Sequence, residues 1–459
     1  MLPDDVLLVI FDLYRKNQDQ VFPPLVVWKW HVLVHVCRRW RQITFSSPRY
    51  LDLRILCTYG SPVRKDLGIW PALPIVVKYG ASQGGITPYD EDNLNAALEH
   101  PDRVSHVDLF ITGSQLGDVA MAMQEPFPVL THLSIFTPNI IVPVISSGFL
   151  GGSAPCLQEV ELTGVPFPTV PALLLSASDL ARLRLCLIPS AGYISPEAMV
   201  ATLAALPRLT FLQLDFECDT PQPDQMHLPP ATQTVFPSLA HFYFSGICEY
   251  MEDFMARIDA PRLGQLEISY PIQFPGFEVP QLSEFINRSE YLKKQTLSRR
   301  CELKLYHGTI EFHIAHATSY NPLAIYCEAL YWEISQITHV LGWISPILSD
   351  MVHFAIIFMP FKSEAHTIDD IEWLQLLHLF SSLQTLFVSR DIAGDVSRAL
   401  EDITGAMVTE VLPALDLLCL QDQPVSSVDK FIAIRRDSGH PVTVINTQEE
   451  FDDRLESYP

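Results

Sequence analysis

FPVLTHLSI (127–135), APCLQEVEL (154–162), LPRLTFLQL (206–214), FPSLAHFYF (236–244), APRLGQLEI (260–268) and LPALDLLCL (412–420) share one rhythm: a proline, a leucine two positions on, then alternating apolar residues. The alternation predicts short strands with one buried face. Proline fixes φ and donates no hydrogen bond, so it suits the turn entering a strand rather than the ladder itself. Three proline-free copies, RVSHVDLFI (103–111), DLARLRLCL (179–187) and SSLQTLFVS (381–389), bring the count to nine.

This rhythm, at roughly 23 to 32 residues, is similar to that of leucine-rich repeats, in which each unit supplies a strand and a helix or turn and buries its face only when neighbours stack on it. The asparagine of the ideal repeat is absent, which makes the array irregular. Between the strands, 195–206, 251–258, 279–292 and 367–380 read as amphipathic helices. The block CELKLYHGTIEFHIA (301–315) reads as a strand pair, and a helix and a buried strand follow it.

Outward from the repeats, the chain opens with MLPDDVLLVIFDLY (1–14) and then HVLVHVCRRWRQITFSSPRYLDL (31–53). Pro3 suits a first helical position, and Asp4 and Asp5 suit the positive end of the helix dipole. Val6, Ile10 and Leu13, flanked by Leu7, Phe11 and Tyr14, make an apolar face too wide for a small helix to hide. Leu33, Val36, Cys37 and Trp40 fall at i, i+3, i+4 and i+7 and predict one continuous helical face, with Arg38, Arg39 and Arg41 opposite.

Through Leu2-Pro3, Val36-Cys37-x-x-Trp40 and Ser47-Pro48-Arg49-Tyr50, the first 55 or so residues resemble the F-box family. The resemblance implies a three-helix docking module that binds a Skp-type adaptor and, through it, a cullin-RING ubiquitin ligase scaffold. It assigns adaptor contacts to Leu2, Pro3, Val6, Leu7, Ile10, Val36, Cys37 and Trp40. The expected class is therefore α/β: an all-α F-box (1–57), a connecting segment (58–100), an irregular leucine-rich repeat solenoid with helices on its convex side (101–437), and a cap with an acidic tail (438–459).

Composition bounds the function. At 48% hydrophobic and 18% charged, the 459 residues read as globular, and no uncharged apolar run reaches membrane-spanning length. Residues 1–66 hold ten Lys and Arg against six Asp and Glu, leaving 20 against 47 beyond, so the head is +4 and the body −27. So acidic a body disfavours nucleic acid and anionic membranes as partners. The nine scattered cysteines, with no C-x-x-C pair, fit reduced thiols and a cytoplasmic or nuclear protein.

No short catalytic motif is present, which favours a non-catalytic subunit without cofactors. His307, His313 and His316 read as structural histidines rather than metal ligands, because strand alternation sends 313 and 316 to opposite faces. In each repeat the residue between the last two apolar positions faces the concave side: Asp108, Ser134, Glu161, Arg184, Gln213, Tyr243, Glu267, Phe387 and Cys419. Of these, Glu161, Arg184, Gln213, Tyr243, Glu267 and Phe387 are the candidate target contacts. The expected function is substrate recognition for a Skp-cullin-F-box ligase. The alternative is a leucine-rich scaffold without ligase coupling.

Overall fold

A computed structural model describes residues 2–19, 30–80, 85–138, 142–217, 232–270, 279–295, 299–306, 308–315, 321–329, 333–359, 370–404 and 407–447. The chain divides into two compact units, Met1–Ile194 with Ala201–Leu209, and Ser195–Val200 with Thr210–Pro459.

The first unit begins with helices α1 (Asp4–Asp19), α2 (Trp30–Val36) and α3 (Arg38–Ser46). Six parallel strands follow in sequential order: β1 (Ile55–Cys57), β2 (Ile75–Tyr79), β3 (Val104–Phe110), β4 (His132–Phe136), β5 (Glu159–Thr163) and β6 (Arg182–Ile188). Helices α4 (Val63–Ile69), α5 (Pro88–Leu98), α6 (Gly113–Ala122) and α7 (Val170–Leu174) alternate with them. The register explains the core. Val107, Leu133, Val160 and Leu183 pair across one row, Leu109, Ile135, Leu162 and Leu185 across the next, and all eight are buried. The strands begin earlier than expected: β1 lies at the end of the span assigned to the all-α module (1–57), and β2 and the capped helix α5, in the segment expected to be a connection, already belong to the repeating pattern.

The prolines sit where the sequence places them. Leu130, Leu157, Leu209, Leu263 and Leu415 each donate their N–H to the carbonyl three residues back, at 3.1–3.2 Å. Proline thus holds the second position of a β-turn, where no N–H is needed, and the leucine closing the turn is buried each time.

In the second unit the strands are β7 (Phe211–Phe216), β8 (Thr234–Val235), β9 (His241–Ser245), β10 (Ile258–Asp259), β11 (Gln265–Tyr270), β12 (Arg300–Tyr306), β13 (Gly308–Ala315), β14 (Leu323–Ala329), β15 (His353–Met359), β16 (Thr385–Val388), β17 (Leu417–Gln421) and β18 (Thr443–Thr447). β8 and β10 form a small separate pair; the others lie in the order β7-β9-β11-β14-β13-β12-β15-β16-β17-β18. Pairing is parallel except within β12–β13–β14, where the expected strand pair is an antiparallel meander of three. The 279–292 helix is two helices, Pro280–Arg288 and Glu290–Gln295, separated at Ser289.

A buried arginine secures the last repeat. Arg435, on the helix Asp429–Asp437, donates from Nη2 to the carbonyls of Pro413 (3.3 Å) and Leu415 (3.2 Å), the turn ahead of β17.

Candidate protein-docking site

Helix α1 carries two apolar stripes. Leu7 and Phe11 form the buried one, and Phe11 packs on Trp40 of α3 with ring centroids 4.8 Å apart. Val6, Val9, Ile10 and Leu13, at i, i+3, i+4 and i+7, form the other, and all four are exposed. Val32 and Val36 of α2 are exposed as well, beside buried Trp30, Leu33 and Val34. Of the 21 large apolar side chains exposed among the described residues, eight fall within residues 2–36, so the uncovered apolar surface is concentrated on these helices.

The helices are held rigidly. Arg39 Nε donates to Asp4 Oδ1 at 3.0 Å, and its Nη2 donates to the Leu2 carbonyl at 2.6 Å. This fixes the start of α1 against α3. The Trp30 indole donates to the Arg54 carbonyl at 2.8 Å and meets Trp70 edge-on at 5.2 Å between centroids, while Phe45 lies 6.1 Å from Trp70. An aromatic nest thus ties α2 and α3 to the end of α4, and the indole bond ties α2 to the residue ahead of β1.

The continuous helical face expected from Leu33 to Trp40 is broken. Cys37 is extended, with φ −158° and ψ 169°, and its sulfur accepts the Trp40 N–H at 3.4 Å as the cap of α3. Of the eight expected adaptor contacts, Leu2, Pro3, Val6, Ile10, Val36 and Cys37 are exposed. Leu7 is buried and Trp40 half-buried against Phe11, so these two act as struts. Val9 and Val32 belong to the exposed surface and were not singled out from the sequence. Their signal was the i+3 continuation from Val6 and the i+4 pairing with Val36.

The face of the strands opposite the apolar rows is largely polar in the first unit, interrupted by half-buried Phe110 and Phe136, which stack with ring centroids 4.8 Å apart. Asp108, Ser134, Glu161 and Arg184 are register neighbours in one row, with Lys78 Nζ 3.7 Å from Asp108 and Arg184 Nη1 3.7 Å from Glu161. His106 and His132 lie beside it, ring centroids 5.0 Å apart. Burial lowers the His106 pKa and the neighbouring His132 lowers it further.

In the second unit Gln213, Tyr243 and Glu267 are likewise neighbours and half-buried. Phe387 and Cys419 are not open as expected. Both are 5% exposed, clustered with Ala355 and flanked by Ile357 and Leu417, so apolar packing fills this part of the face. His313 accepts at Nδ1 from Asn321 (3.1 Å) and donates from Nε2 to Glu311 (3.2 Å); burial depresses its pKa against the pull of Glu311. His307 and His316 lie outside the described residues. Among the described residues, no three His, Cys, Asp or Glu side chains group as metal ligands.

Burial pushes the thiols of Cys57, Cys248 and Cys327 up to about 12, the opposite of an activated nucleophile. No helix among the described residues is long and apolar enough to cross a membrane. In comparisons with known proteins, no protein-family model and no curated sequence matches this chain.

Proposed function

We propose that the chain is the substrate-recognition subunit of a Skp-cullin-F-box ubiquitin ligase. Its amino-terminal helices dock a Skp-type adaptor, and the polar strand faces hold a target protein. The observation that carries the reading is the exposed stripe Val6, Val9, Ile10 and Leu13 on a helix whose opposite stripe is already buried. A solvent-facing apolar stripe at helical spacing is what a helix-docking surface requires.

The work of such a subunit is proximity. Holding a target lysine near a charged conjugating enzyme replaces a bimolecular encounter with a local one, so the subunit sets specificity and needs no reactive group. Its place of action is the cytoplasm or nucleus. The +4 head would steer an acidic adaptor toward the docking helices.

Co-purification of the full chain with a purified Skp-type adaptor tests this, comparing wild type with a Leu2→Ala, Pro3→Ala variant. Stoichiometric capture that the variant loses is the expected result. Absence of capture by folded wild-type protein would favour the leucine-rich scaffold without ligase coupling.

A further inference from the structure

The first strand leaves one residue of its outer edge open. Among the described residues, β1 pairs with β2 alone. Ile55 donates its N–H to the Pro74 carbonyl at 2.8 Å, so its backbone groups point toward β2, and strand alternation turns those of Arg54, Leu56 and Thr58 the other way. Arg54 and Thr58 are engaged there. The Arg54 carbonyl accepts the Trp30 indole at 2.8 Å; the Thr58 N–H donates to the Ser61 hydroxyl at 2.9 Å, and that hydroxyl donates to the Thr58 carbonyl at 2.6 Å. Leu56 differs. Neither its outward N–H nor its carbonyl has a partner among the described residues.

Leu56 lines a cleft of about 570 Å³, a size that suits a bound ligand. The cleft lies between α2, which contributes Trp30 and His35, and α4 with the residue after it, which contribute Lys65, Ile69 and Trp70. Its aromatic lining is continuous. Trp70 lies 5.2 Å from Trp30 and 5.8 Å from His35 between ring centroids, and Ile69 beside it is 57% exposed. The fixed charges balance: Arg54 is bonded to Asp52 at 3.0 Å, and Lys65 and Asp66 bring one charge of each sign.

An open donor and an open acceptor on one strand residue are what the backbone of a second extended chain satisfies together. Aromatic walls with balanced charge favour an uncharged segment bearing a bulky apolar side chain.

We infer that the cleft binds an extended, uncharged segment of a partner protein by strand addition to β1. One N–H of the segment donates to the Leu56 carbonyl, one of its carbonyls accepts the Leu56 N–H, and an aromatic or branched aliphatic side chain packs on Trp70 and Ile69. Helical spacing sets Val32 and Val36 on another face of α2, so this site is separate from the adaptor surface and does not rest on the ligase reading.

The test is affinity selection by the full chain from a pool of capped, uncharged heptapeptides randomised among Val, Ile, Phe, Tyr, Trp, Thr and Ser, followed by fluorescence anisotropy with the strongest binder. An N-methyl group is then placed on each backbone nitrogen of that peptide in turn. One position is expected to lose binding at least tenfold, and its immediate neighbours, whose N–H groups point away, less than twofold. On the protein side, Leu56→Pro removes the open N–H without touching the β2 ladder and should also cost at least tenfold, whereas Leu56→Val, which keeps it, should cost less than twofold. Thermal melts confirm folding. No binder in the pool, N-methyl losses without this alternation, or a folded Leu56→Pro protein that binds as wild type does would overturn the inference. Concentration-dependent self-association that Leu56→Pro abolishes would overturn it as well, by giving the cleft to a second copy of the chain.

Discussion

Phe11 of α1 and Trp40 of α3 pack ring to ring, centroids 4.8 Å apart at an interplanar angle of 58°, so one contact clamps the two helices that frame the exposed stripe. Trp40→Ala is expected to destabilise the amino-terminal helices by about 2–3 kcal/mol, somewhat under the ~3–5 of a fully buried Trp, because the ring is half-buried. A denaturant melt measures this. A loss of docking in that variant then reports lost scaffold, not a lost contact.

Val9→Glu with Leu13→Glu has the opposite signature. Both side chains are more than half exposed, so stability should move by no more than about 0.5 kcal/mol. Adaptor capture in a pull-down should fall at least tenfold. Undiminished capture would remove this stripe from the interface.

Asp90 closes α5 onto the loop after β1. Its Oδ2 accepts the Thr87 N–H at 3.2 Å and the Thr87 hydroxyl at 2.6 Å, and its Oδ1 accepts the Gly60 N–H at 2.8 Å, a glycine at φ +69°. Burial works to raise its pKa, but these hydrogen bonds hold it below the ordinary 3.8. The sign follows: its contribution is complete above 3.8 and is lost as pH falls through the lower folded value. Asp90→Ala should cost about 1–2 kcal/mol at neutral pH and should weaken the acid dependence of stability below that range.

Phe387→Ala should cost about 3–5 kcal/mol, because the ring is part of a closed cluster with Ala355 and Cys419. Tyr243→Ala, at a half-buried position of the same kind of strand, should cost less and act on target capture instead. Parallel thermal melts separate the two. Equal destabilisation would place Tyr243 in the core.

The strands were legible because their cause is local. Pro128, Pro155, Pro207, Pro261 and Pro413 each set a turn, and the leucine two residues on closes it, so a nine-residue window carries the whole instruction. The break at Cys37 was not legible, since the apolar spacing of Leu33, Val36 and Trp40 continues straight through it and only the sulfur's capping bond marks the boundary. Phe387 was missed for another reason. Alternation assigns a residue to a face of the sheet but not what covers that face. The register that sets Glu267 beside Ala324 depends on a strand order, β11-β14-β13-β12, that no local pattern contains.

That strand order bears on how the second unit is built as it is synthesised. Strand β11 does not pair with its successor β12; its partner on that side is β14, whose first residue, Leu323, follows Tyr270 by 53 positions. The growing chain therefore carries β11 with one side unpaired until β14 has emerged, while β12 and β13 can already zip together as a local hairpin. Assembly of this unit passes through a stage with a bare sheet edge, the form most open to wrong partners. Slowing translation while β14 is still inside the ribosome should lengthen that exposure and raise aggregation, whereas a pause after β14 has emerged should not.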